Sequence, residues 1–129
     1  AQPLSEEEAL LLEEGAGLFD DGRFWHAHES WEDLWNDLKR RTAPDKEILL
    51  VQGLIQTAAL LYNYARQKKR GVELGWLKLE KKLVEVSTYQ HIDISKHLDQ
   101  IRLFFEDVGH WSLDPQTVIL PLVDDRTYE

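Results

Sequence analysis

The chain has 129 residues, no cysteine and a net charge of −9, set by 15 Lys and Arg against 24 Asp and Glu. That length suits one domain with a core large enough to fold unaided, and the missing thiols exclude disulfides, cysteine nucleophiles and cysteine-bound zinc. The acidic balance opposes binding to nucleic-acid phosphates.

The apolar spacing is helical almost throughout. It predicts an all-α fold of about five helices in an antiparallel bundle of helical hairpins (residues 1–110), followed by an extended C-terminal tail (residues 111–129). Helix one starts at Ser5, where Glu8 three residues on completes a capping box. Ala9, Leu12, Ala16 and Phe19 then share a face until Asp20-Asp21-Gly22 breaks it. Helix two is expected from about Arg23 to Arg41, and a turn holding Pro44 leads to helix three, with Asp45 as its cap. Helix three, about Lys46 to Lys69, is apolar on nearly every side and so should be central. Helix four follows Gly71 with Val72, Trp76, Leu79, Leu83 and Val86 inward, and helix five starts near Asp93 or Ser95. The segment Thr117 to Val123 is apolar but holds Pro121, which forbids a helix interior. It either lies across the bundle or docks on a second subunit, giving a homodimer.

The basic triplets Lys39-Arg40-Arg41 and Lys68-Lys69-Arg70 both read as helix C-termini, where cations complement the macrodipole. No apolar run approaches the roughly 18–20 residues that span a bilayer, and Ala1 to Glu14 lacks the basic start of a signal peptide. A cytoplasmic protein with neither a nucleic-acid nor a membrane partner is expected. Met is absent as well; removal of a residue before Ala1 and cleavage of a precursor would each account for the missing initiator.

One polar constellation stands out. On helix two, Phe24, Ala27, Trp31, Leu34, Trp35 and Leu38 share a face with His28 in its middle; Glu32 lies at the margin and Glu29 further round. His26 points away with Asp33 and Asp37. On helix three, Gln52, Gln56 and Asn63 form a polar stripe on an apolar cylinder. A short turn makes the two helices antiparallel neighbours. His28, Glu32, Gln52 and Gln56, with Glu29 and Asn63, then converge on one buried pocket walled by Trp31 and Trp35. Of the remaining imidazoles, only His97 lies near an apolar stripe.

Buried polar groups of this kind need partners, at about 1–3 kcal/mol for each one left unpaired. A hydrogen-bonded network that fixes helix register meets the need, and so does a pocket for a small molecule or a protein partner. A metal site is the third reading. His28 and Glu32, at i and i+4, share a helical face and suit joint ligation of a divalent ion. Glu29 is then the candidate base of a metal-assisted hydrolysis. The zincin pattern His-Glu-x-x-His is incomplete, since its second His is Glu32 here.

An aromatic followed by His-Glu-x-x-Glu-x-x-Trp (Phe24 to Trp35), then Gln-Gly-Leu-Ile-Gln (Gln52 to Gln56), resembles the small helical proteins of domain of unknown function 309. The likeness extends more loosely from Gly15 to about Val86, and Tyr89 to Leu98 resembles the family's closing segment. It implies packed helical hairpins and, by the label attached to some members, a metal-dependent hydrolase built on His28, Glu29 and Glu32. Trp35, Gln52 and Gln56 match the motif too. Many members have a His near the end of the third helix, where this chain has Asn63.

Overall fold

The computed structural model describes residues 3–123. Five α-helices dominate: α1 (Glu6–Asp20), α2 (Phe24–Arg40), α3 (Asp45–Ala65), α4 (Lys69–Leu83) and α5 (Ile94–Glu106). Between α4 and α5, two-residue strands β1 (Thr88–Tyr89) and β2 (Ile92–Asp93) pair antiparallel. A 3₁₀ turn, Pro115–Thr117, follows α5.

Local chemistry sets most of the ends. The Ser5 hydroxyl accepts from the Glu8 amide while Glu8 caps the Ser5 amide in return, the reciprocal box expected from the spacing. Asp93 caps α5 by accepting from the Lys96 amide. Two ends differ from expectation. The N-cap of α3 is Pro44, and Asp45 is the first helical residue, where its carboxylate meets the positive end of the dipole. The chain leaves α3 at Ala65 and turns through Gln67 at φ 55°, so Lys69 and Arg70 open α4 and do not close α3.

Consecutive helices pack as hairpins, α1 on α2, α2 on α3 and α3 on α4, while α5 lies against α4 and α3. The central place of α3 explains its composition, because Val51, Leu54, Ala58, Leu60 and Leu61 are all buried. Each of the Val and Leu side chains contributes about 1.5–3 kcal/mol on burial. By length and a mean hydropathy of 1.3, α3 is also apolar enough to cross a bilayer, which run lengths alone had not indicated. Its apolar sides are used against α2, α4 and α5.

Trp31 is wholly buried in the α1–α2 seam, stacked on Phe19 at 5.7 Å and donating its indole N–H to the Leu12 carbonyl at 3.1 Å. Gly15 makes that approach feasible, since a Cβ there would sit 2.2 Å from Trp31 Nε1.

The chain beyond α5 crosses the same bundle. Val118 and Leu120 are buried, the Leu120 amide donates to Asp20 Oδ1 at 2.7 Å, and Leu122 bridges to Ile92. The end of the expected tail, residues 124–129, lies outside the described residues.

Candidate functional site

The motif of α2 divides between two sides of the helix. Phe24, Ala27, Ser30, Trp31, Leu34 and Leu38 are buried. The outer side carries Trp25, His28, Glu32, Trp35 and Lys39, spaced three or four residues apart. The His28 ring lies flat on Trp25, with centroids 4.8 Å apart and planes at 7°, and Trp25 in turn leans on Tyr62 of α3 at 5.3 Å. Lys39 Nζ sits 3.5 Å above the Trp35 ring, a geometry in which the ring quadrupole attracts the cation. A solvent-open depression of about 310 Å³ adjoins Trp25 and is lined also by Tyr62, Arg66 and Gln116.

His28 and Glu32 meet as their spacing required, with Nε2 3.8 Å from Oε2, but the carboxylate is half exposed and the contact is loose. On the other side of the ring, His28 Nδ1 is buried with no protein hydrogen-bond partner, and so is Trp35 Nε1. Native proteins seldom leave buried polar atoms unpaired.

Gln56, Asn63 and Glu29 face elsewhere. Gln56 Oε1 accepts from Lys82 Nζ of α4 at 2.9 Å. Asn63 lies against α4 too, for a Cβ on Gly71 would be 2.8 Å from its Nδ2. Gln52 is half-buried one turn before Gln56. Glu29 lines a depression on the α1 side with Glu14 and Asp33, and pairs with His26 at 3.3 Å. Trp31 belongs to the α1–α2 core, and only Trp35 borders the His28 side. The outer face thus holds His28, Glu32 and Trp35, while Gln56 and Asn63 lie against α4.

This donor set does not suit a metal held by the chain alone. His28 and Glu32 supply two ligands, Glu29 is turned away, and the described residues contain no group of three His, Asp or Glu able to hold an ion. Zinc in a protein site takes three or four protein ligands.

A satisfied polar network does exist, around a different histidine. His97 of α5 is fully buried beside Phe19, at 5.3 Å between centroids. Thr57 donates its hydroxyl proton to the Leu54 carbonyl at 2.7 Å, so it must accept from His97 Nε2 at 3.0 Å. His97 Nδ1 then accepts from Gln100 Nε2 at 3.0 Å, and the same amide reaches the Ile119 carbonyl. This chain of donors fixes a neutral imidazole, and burial holds its pKa down at about 3.

Sequence reasoning also missed contacts between distant elements. Arg41 grips Glu8 through two nitrogens, at 2.8 and 3.2 Å, and holds that carboxyl below its ordinary pKa range. The Tyr89 hydroxyl donates to Glu47 at 2.6 Å; burial first, then Glu47, pushes the phenol up. The Tyr64 hydroxyl donates to Asp107, which also accepts from Ser112. The Ser112 hydroxyl first, and Tyr64 next, bring Asp107 down to about 2.

Fold and site together define a small all-α protein of helical hairpins with one under-paired aromatic and polar face. Residues 12–74, just under half of the chain, match the model of the family described as Domain of unknown function (DUF309), and the chain is similar to that family over this stretch. The matched stretch ends early in α4 and contains His28, Glu29, Glu32, Trp35, Gln52, Gln56 and Asn63. No curated protein and no solved structure matches the chain.

Proposed function

We propose that the protein is a non-enzymatic binding module that recognises a polypeptide segment of another protein through the outer face of α2 and the adjoining edge of α3. The observation that carries this reading is the pair of unpaired buried polar atoms, His28 Nδ1 and Trp35 Nε1. A register-fixing network would pair its members, as the one around His97 does. The two atoms lie two helical turns apart, about 10 Å along the axis, a span that suits main-chain groups of a peptide better than one compact ligand. The Trp35 N–H calls for a carbonyl acceptor, and His28 Nδ1 accepts or donates according to tautomer. Trp25, 48% exposed, and the depression beside it offer a seat for an apolar side chain. Trp is, with Tyr and Arg, among the residue types enriched in binding hot spots.

Selection of a displayed peptide library on the wild-type protein tests the reading. Selected peptides should bind the Trp35→Phe, His28→Ala double variant at least about tenfold more weakly, a loss of about 1.4 kcal/mol, while its helical circular dichroism is unchanged. Peptides that bind both proteins equally, or no selectable peptide, would overturn it. Concentration-dependent dimerisation abolished by Trp25→Asp would show that the face takes a second copy of the chain in place of another protein.

A further inference from the structure

A second region, where the start of α3 meets the end of α4, has a different chemistry. Two open hollows, of about 500 and 490 Å³, lie at the start of α3 and the end of α4 and share Lys46 and Val86 as lining residues. The two hollows adjoin at those residues. Lys81, Lys82 and Glu85 line the first hollow with Leu49; Pro44, Leu50 and Tyr89 line the second. Ligand sites typically enclose about 300–1,000 Å³ with an apolar wall and few polar groups.

We propose that this cleft binds a small amphiphilic anion, its carboxylate or phosphate head held by Lys46, Lys81 and Lys82 and its apolar body lying along Leu49, Leu50 and Val86. The argument begins with charge. In a chain of net charge −9, three lysines border the cleft, against Glu85 on the lysine side and Glu47 on the other. Glu47 is already engaged by the Tyr89 hydroxyl at 2.6 Å. Among the described residues, no carboxylate lies within ion-pair distance of the three ammonium groups.

Lys82 adds geometry. It is half-buried, and the neutral carboxamide of Gln56 holds its Nζ at 2.9 Å. A carboxamide orients an ammonium without cancelling its charge, so the family's second motif residue Gln56 serves here as a positioning group for Lys82. Burial, and then the neighbouring Lys81 and Lys78, lower the Lys82 pKa, and an anion in the cleft would relieve the strain of those crowded charges. The wall explains why the ligand is amphiphilic. Leu49, which lines the hollow with the three lysines, is 47% exposed, and an apolar body would cover it. Nucleic acid suits the cleft poorly, since the chain's net charge of −9 repels a polyanion.

The site is separate from the α2 face, and its test is independent. Isotope-labelled full-length protein is titrated with octanoate and with octyl phosphate, with octylammonium as the control of opposite charge. Both anions are expected to bind with a Kd below about 1 mM and to shift the amides of Leu49, Lys82 and Val86; the tighter of the two identifies the preferred head. Lys81→Gln with Lys82→Gln should weaken both by about tenfold or more at unchanged helicity. Leu49→Ser should weaken them without altering the response to inorganic phosphate. The absence of saturable shifts with either anion, equal binding of octylammonium, or a hexaglutamate peptide that outcompetes both would overturn the assignment.

Discussion

Two histidines and two tryptophans divide this molecule into an inner and an outer seam. His97 and Trp31 are fully buried, and every side-chain nitrogen they carry has a partner: Thr57 and Gln100 for the imidazole, the Leu12 carbonyl for the indole. His28 and Trp35 lie near the surface on the outer side of α2, and each keeps one buried nitrogen unpaired. The residue types are the same and the depth differs. The costlier location has complete pairing, as expected where no water competes. On the proposed reading, incomplete pairing close to solvent is where an incoming group is accepted with little rearrangement. A polar cluster inside a helical bundle therefore does not by itself indicate function; its hydrogen-bond balance does.

The largest effect expected from breaking this contrast is at His97. His97→Ala leaves a cavity and strips partners from Thr57 and Gln100, and should cost about 3 kcal/mol in chemical denaturation. Its titration comes next. The folded pKa of about 3 lies below the ordinary value near 6.5, so between those limits the unfolded chain holds a proton that the folded chain does not. Stability is then complete above about pH 6.5 and falls as pH drops, by about 1.4 kcal/mol per unit. Glu8, lowered chiefly by its hydrogen bond from Arg41, adds loss in the same direction at more acid pH. Denaturation midpoints of wild type and His97→Gln, followed from pH 7 to 5, should differ in slope, the wild type falling while the variant stays flat. Parallel curves would show that His97 is not held neutral by burial.

The indoles give a smaller contrast. Trp31→Phe removes a paired N–H from the α1–α2 seam and should cost about 1–2 kcal/mol. Trp35→Phe removes an unpaired donor and should change stability by less than about 0.5 kcal/mol in either direction. Equal losses in thermal unfolding would erase the distinction between the seams.

Much of this arrangement is legible in the sequence because it is local. The Ser5–Glu8 box spans three residues, the buried face of α2 follows the helical period, and the all-round apolarity of α3 marks it as central. The distribution of the polar ridge is not legible. Gln52 and Gln56 differ by roughly 40° around the axis, and a helix with neighbours on both sides gives a residue at that margin two choices. Gln56 took Lys82 on α4, 26 residues away, where expectation had paired it with α2. Glu8–Arg41 and Tyr89–Glu47, 33 and 42 residues apart, leave no periodic trace at all. Thr57 was hidden for a different reason: among Leu and Ile a threonine reads as a small core residue, and only α5 laid across α3 turns it into the acceptor for His97.

His28→Ala is the mildest and most discriminating change. The imidazole stacks on Trp25 at 4.8 Å, a contact worth about 0.5–1.5 kcal/mol, and its 3.8 Å approach to a half-exposed Glu32 adds little because such pairs are well solvated. Against that loss, the substitution deletes an unpaired buried nitrogen, which returns part of the difference. The net destabilisation should stay below about 1 kcal/mol, a drop of a few degrees in Tm, while peptide binding at the face weakens by an order of magnitude. The same substitution costing about 3 kcal/mol would make His28 a buried hub like His97, and the outer seam would then be scaffold.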